Sequence, residues 1–225
     1  IVNLAGESVA GESLLKMRWT PERKNGIRES RLIVGKAVVE AVERAKRRPD
    51  IVVQASAVGY YGPVSGPSFD ESMTSGSDFL ASVCVDWEES TRPVEALNVR
   101  RAVARIGVVL AREGGALPLQ MLPFKFFVGG SVGSGRQGYP WIHLADVVGA
   151  LAFLTVTPIV QGVYNLTAPD PITNAGFSRE LGKAMHRPSW IPAPGFAFKL
   201  ALGEAATILL DGQQPLPIRL LQAGY

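Results

Sequence analysis

The sequence has a single cysteine, Cys84, so no internal disulfide can form. Its neighbours Val83, Val85 and Trp87 make it read as a buried structural thiol rather than a nucleophile. The two histidines, His143 and His186, lie far from that cysteine and from each other, so no zinc-ligand spacing exists and no metal site is expected. No apolar run is long enough to span a bilayer, and no signal-peptide pattern is visible. Excess charge is also lacking, with a net value of only +3. Basic residues gather in 18–31 and 46–48, and acids are interleaved in the first stretch. That pattern reads as a solvated helix face rather than a nucleic-acid patch, with room for one phosphate-reading arginine. Internal repeats and low-complexity tracts are absent.

The chain does have material for a core: 47% hydrophobic and 19% charged over 225 residues, with 24 glycines for tight connections. Strand and helix patterns alternate. Ile1–Leu4 is an apolar strand followed by a glycine turn. A long helix is expected over 22–47, opened by Pro21 and ended by Pro49. The β-branched run 51–55 suits a parallel strand covered on both faces. Further helices are expected over 78–90, 117–127, 145–154 and 174–185, the last capped by Thr173 or Asn174. Further strands are expected over 99–110 and 162–166. Residues 192–225 mix short helices with proline turns, and a new strand is expected to begin at Leu221–Tyr225. Such alternation implies an α/β, doubly wound parallel sheet with right-handed crossovers.

Ligands in such sheets bind outside the carboxyl ends of the strands, and three segments end strands suitably. In Asn3-Leu4-Ala5-Gly6, small residues admit a ligand close to the backbone, although a plain strand-to-loop turn looks the same. In Ser56-Ala57-Val58-Gly59-Tyr60-Tyr61, a hydroxyl could meet a substrate oxygen and the tyrosines a ring; a tyrosine-rich turn packed on the core is the equal alternative. In Trp141-Ile142-His143, the histidine precedes a helix, where capping is its commoner use than base catalysis.

These segments occur in an order and at spacings that resemble the extended, atypical short-chain dehydrogenase/reductases. The likeness lies within the NAD-dependent epimerase/dehydratase group, in its epimerase-family or cell-division-inhibitor-like branch. Besides the three segments it rests on Arg18-Trp19-Thr20, Ser30-Arg31, Phe69-Asp70-Glu71, Trp87-Glu88, Arg105–Leu110, Gly114-Gly115-Ala116, Gly133-Ser134-Gly135, Asn165–Pro169 and Asp211-Gly212-Gln213. The resemblance implies a Rossmann-like fold binding NADP or NAD, in a single 1–225 domain whose residues from about 160 form a smaller substrate-side region. It implies that Asn3, Leu4, Ala5, Gly6, Arg31 and Val109 lie on the cofactor side, Ser56, Tyr60 and Tyr61 at the reacting centre, and Trp141 and His143 towards substrate. The chain then reads as a fragment, with a Gly-x-x-Gly-x-x-Gly turn expected upstream of Ile1. A homodimer through the two long helices and a cytoplasmic location are further expectations, an organellar form being the alternative to the latter.

One departure bears on chemistry. Reductases of this type carry Tyr-x-x-x-Lys on the helix after the serine strand; Phe79 and Val83 stand at the matching positions, and neither can transfer a proton. Two readings follow. One is an NAD(P)-binding epimerase or oxidoreductase of weak or atypical catalysis on a small substrate, using Ser56 with Tyr60 or Tyr61. The other is a catalytically inactive dinucleotide-binding regulatory or scaffold protein.

Overall fold

The computed structural model describes residues 1–10 and 17–225. In chain order the elements are β1 (Val2–Asn3), α1 (Pro21–Arg44), β2 (Ile51–Ala57), α2 (Phe79–Ser90), β3 (Arg100–Ile106), β4 (Val108–Leu110), α3 (Ala116–Lys125), β5 (Trp141–His143), α4 (Leu144–Val156), β6 (Gly162–Leu166), α5 (Asn174–Met185), α6 (Gly195–Leu202), α7 (Thr207–Leu210) and α8 (Ile218–Gln222). Strands β1, β2, β3 and β6 pair in that order as one parallel sheet, and β4 and β5 form a second parallel pair. The α/β architecture is the one the alternating pattern implies.

Strand β2 is buried along Ile51–Ser56, because helices cover both faces of the sheet. On one face Ile51, Val53 and Ala104 pack beneath Leu151 and Leu154 of α4 and Leu220 of α8. On the other, Val52 meets Val39 and Val42 of α1, with Val94 and Val99. A third cluster joins Trp19, Ile27 and Val83 to Leu202, Ala205 and Ala206 of the C-terminal region. Side chains start the main helices: Thr20 accepts from the Arg23 N–H, Asp78 from Ala81 and Thr173 from Gly176.

Several boundaries differ from expectation. The strand expected over 99–110 is two strands in different sheets, broken at Gly107. A Cβ there would sit 2.2 Å from the Pro140 carbonyl oxygen, so only glycine lets the chain cross to β5 so closely. The long helix stops at Arg44, short of Pro49, because Ala45 turns extended and its N–H reaches back to Val42. Helix α3 ends at Lys125, and Phe127, which the pattern put in the helix, takes φ 62°. Where a strand was expected to begin at Leu221–Tyr225, α8 ends at Gln222 and a turn follows at Ala223-Gly224.

Residues 212–219 lie across the loop that follows β2. Gln213 Nε2 donates to the Val58 carbonyl at 2.8 Å, and Val64 N–H to Gly212 O at 3.2 Å. Phe69 exchanges backbone bonds with Gln214 and Leu216. The Glu71 carboxylate accepts from the backbone N–H groups of Asn165 and Arg219.

Candidate functional site

Parallel register fixes the site's place. Asn3 pairs with Gln54, Ala57 with Ile106 and Ile106 with Leu166, so all four strands end along one edge. That edge carries Leu4–Gly6 and Ala57–Tyr61 side by side, as a crevice at the carboxyl ends requires.

Asn3 is buried and anchors the first turn. Its Nδ2 donates to Gln54 Oε1 at 2.9 Å, and its Oδ1 accepts the Ala5 N–H at 3.2 Å. The turn holds Leu4 outward, 55% exposed. Arg31 lies behind the turn: Nη1 donates to the Glu7 carbonyl at 3.1 Å and to Ile27 O at 2.7 Å. The guanidinium stacks 4.7 Å above the Trp87 ring, and burial pulls its pKa down. A Cβ on Gly6 would stand 3.0 Å from Arg31 Cζ, so the backbone passes tightly over the guanidinium and a side chain there would displace it. Arg31 thus shapes the turn through backbone carbonyls.

At the end of β2 the expected residues separate by role. Ser56 is buried and donates to Glu88 Oε1 at 2.7 Å. Glu88 of α2 pairs with Arg105 of β3 through two nearly parallel bonds, Nε–Oε1 at 2.8 Å and Nη2–Oε2 at 2.9 Å. Burial works against the Arg105 charge, but the bonds and charge of Glu88 outweigh it, and the guanidinium pKa rises. Arg105 Nη1 donates to the Tyr61 hydroxyl at 3.1 Å, which donates to Asn165 Oδ1 at 2.7 Å. Burial raises the Tyr61 pKa, Arg105 opposing. Ser56 and Tyr61 are therefore members of a closed internal network. Tyr60 differs: its ring lies against the Arg105 guanidinium, 3.3 Å from centroid to Cζ, it is half-buried, and its hydroxyl has no hydrogen-bond partner among the described residues. The thiol of Cys84, on the same helix as Glu88, is pushed up to about 12 by burial, as an inert core cysteine should be.

Phe79 and Val83 serve packing. Phe79 meets the edge of Trp19 at 5.1 Å, Lys24 Nζ sits 4.8 Å over its ring, and Val83 is buried beside Ile27. His143 caps α4, its Nδ1 accepting the Ala145 N–H at 3.1 Å, the commoner use foreseen for it. Trp141 and Val109 lie on the short sheet, where Val109 pairs with Ile142 and the Trp141 carbonyl accepts from Ala168. No group of three or more His, Cys, Asp or Glu among the described residues could hold a metal ion.

Glu88, Asn165 and Glu71 were not singled out as functional from sequence. Arg105 between Ala102-Val103-Ala104 and Ile106 is a signal that was there to use, since a charge in a strand buried on both faces demands a carboxylate. Glu88 is buried on α2 with its neighbour Trp87 and with Cys84 one turn before it.

Comparison with known proteins decides the family. The chain is 38% identical over 225 residues to epimerase family protein YfhF of Bacillus subtilis, aligning over its whole length and 72% of that relative. The chain belongs to this epimerase family. It is 42% identical to the epimerase family protein SDR39U1 homolog, chloroplastic, of Arabidopsis thaliana, of which it spans 63%. Human epimerase family protein SDR39U1, crystallised with NADPH, superposes with a TM-score of 0.93 at 36% identity, the chain covering 75% of that structure. Thermus thermophilus UDP-glucose 4-epimerase shares the fold, with a TM-score of 0.73 at 16% identity over 71% of its length. Residues 193–225, which span α6 to α8, match a domain of unknown function (DUF1731).

Proposed function

We propose that this epimerase-family chain forms the larger part of an NADP-binding protein (NAD being the alternative) whose dinucleotide runs along Asn3–Gly6 and whose chemistry on a small substrate is weak. The observation that carries this reading is the Asn3–Gln54 anchor beneath an outward Leu4-Ala5-Gly6 turn at the carboxyl edge of a parallel sheet. The NADPH in the human relative's crystal structure supports it. Arg31 contributes by holding the turn, and Val109 lines the nicotinamide end through its backbone. Residues from about 160 supply the substrate side with Trp141 and His143. Titration of full-length protein with NADPH, read by cofactor fluorescence, tests the reading. Asn3→Ala and Ala5→Leu should each weaken binding about tenfold or more, in line with loss of a buried hydrogen bond or entry of bulk against the ligand. Unaltered affinity in both would remove the turn from the site.

For the chemistry, Tyr60 is the proton donor in this reading, and Ser56 and Tyr61 position it by locking Glu88 and Arg105. General acid help contributes about 10²- to 10⁴-fold, and Phe79 and Val83 can supply none of it. Slow oxidation of NADPH by a carbonyl substrate should therefore vanish in Tyr60→Phe while binding survives. Turnover unchanged in Tyr60→Phe would refute the assignment. The second reading, a non-catalytic dinucleotide-binding regulator, is favoured by the packing of Phe79 on Trp19; no turnover on any carbonyl substrate, with full NADPH binding, would establish it. Helices α1 and α2, in close contact where Gly35 faces Ser90, form the proposed homodimer surface.

A further inference from the structure

We infer that the turn between α3 and Gly129, with the segment after α5, is a docking surface for an anionic phospholipid membrane. The turn displays large apolar side chains: Phe126 is 69% exposed, Phe127 53% and Trp190 70%, and Leu119 and Leu122 of α3 extend the patch. Contiguous apolar surface of this kind, rimmed by charge, marks an interaction site.

The display is built rather than loose. Phe127 holds φ 62°, a left-handed conformation that is unfavourable for a bulky side chain. Trp190 Nε1 donates to the Phe127 carbonyl at 3.0 Å, and the N–H groups of Trp190 and Ile191 both reach Gly129 O. A Cβ on Gly130 would stand 2.2 Å from Ile191 O, so the two segments are pressed together at their base. Strain and fixing bonds thus hold aromatic rings in solvent, where the hydrophobic effect opposes them.

Charge beside the rings selects the partner. The Arg187 guanidinium sits 4.4 Å over the Phe127 ring. Arg179, Lys183, His186 and Arg187 line an open groove with Ser189 and Gly182, four basic side chains against no carboxylate in the lining among the described residues. Glu180 pairs with Lys183 at 2.8 Å, both side chains being exposed. Lys125 is the last residue of α3, next in sequence to Phe126. Phe and Trp beside Lys and Arg suit the boundary between acyl chains and anionic headgroups, where rings bury and cations meet phosphates. A second copy of the chain would bring the same basic groove against itself, and like charges would oppose a tip-to-tip pair. None of the described helices is long and apolar enough to cross a membrane.

Flotation of the full-length protein with vesicles tests this, using phosphatidylcholine alone or in equal parts with phosphatidylglycerol. Trp190 is the exposed tryptophan of the described residues, Trp19 and Trp87 being buried and Trp141 half-buried, so a blue shift of emission on binding that Trp190→Phe removes reads this side chain. The expected result is flotation and a blue shift with the anionic vesicles only, reversed by salt. Lys183→Ala and Arg187→Ala should each weaken binding about fivefold, since each basic residue near an anionic surface contributes on that order. Phe126→Ser with Phe127→Gly and Trp190→Ser should abolish binding with the melting temperature preserved. Absence of binding, equal binding to uncharged vesicles, or retention in the aromatic variant would overturn the proposal. So would a concentration-dependent dimer mass that the aromatic variant abolishes, which would assign the patch to a second copy.

Discussion

Replacing Glu88 with alanine strands the Arg105 guanidinium in the core. The pair's side chains are 4% and 10% exposed, so water cannot take over the lost contacts. Two charge-assisted bonds disappear, at 2.8 and 2.9 Å, together with the one from Ser56 at 2.7 Å. Removing one partner of a buried pair costs about 3–5 kcal/mol. For a chain of this size each kcal/mol lowers the melting temperature by roughly 2–4 °C, so a fall of about 10–15 °C is expected. Glu88→Gln keeps the shape and part of the hydrogen bonding and should cost about half as much. The informative control is Glu88→Leu combined with Arg105→Met. If the penalty comes from an unpaired charge, the double variant should recover to within about 1–2 kcal/mol of the parent, the remainder being the bond from Arg105 to Tyr61. Urea unfolding followed by circular dichroism gives all four stabilities. A Glu88→Ala loss below about 1 kcal/mol, or a double variant no more stable than Glu88→Ala, would refute this account of the network.

Alkaline pH offers an independent measurement at Tyr139, whose hydroxyl donates to Gln120 at 2.7 Å and whose ring stacks on Phe177. Burial pushes its pKa up to about 12. A phenol raised on folding stabilises the native state fully below its unfolded pKa, near 10, and that contribution is lost as pH rises through the folded value, so Tyr139→Phe should flatten the decline in stability between about pH 10 and 12. An identical decline in parent and variant would show that Tyr139 does not titrate there. Gly107→Ala should cost at least about 1–3 kcal/mol by driving Cβ into the Pro140 carbonyl, with a lowered urea midpoint as the readout; an unchanged midpoint would mean that β4 and β5 tolerate separation. Ser56→Ala should cost about 1 kcal/mol as the donor to Glu88, and a neutral result in the same urea assay would make the bond dispensable.

Legibility in the sequence followed the range of the forces involved. Helices with local punctuation were readable: α5 begins after Thr173 and ends at Met185, as its cap and periodicity imply. β6 likewise fits its apolar run. The break at Gly107 was not readable, because Pro140, the group that forbids a side chain there, is 33 positions away. Phe127 was extended into a helix because only its contacts with Trp190 and Arg187 show why the chain turns. At the site, the strand ends were visible from the order of motifs. The division of Ser56 and Tyr61 from Tyr60 was not, since it depends on which hydroxyls face Glu88 and Asn165 across the fold.

The stretch 212–219 has a consequence for synthesis. Its partners, Val58, Val64, Phe69 and Glu71, leave the ribosome some 150 residues earlier, the Gln213 bond to Val58 spanning 155 positions and the Arg219 bond to Glu71 148. Until that stretch emerges, the loop after Tyr61 has no seam to close against, and the Glu71 carboxylate lacks one of its donors. The nascent chain can assemble its central strands while the loop after Tyr61 is still open, so that loop is closed late in translation. A quality-control system that samples exposed loops on the nascent chain would meet this one for nearly the whole of that interval.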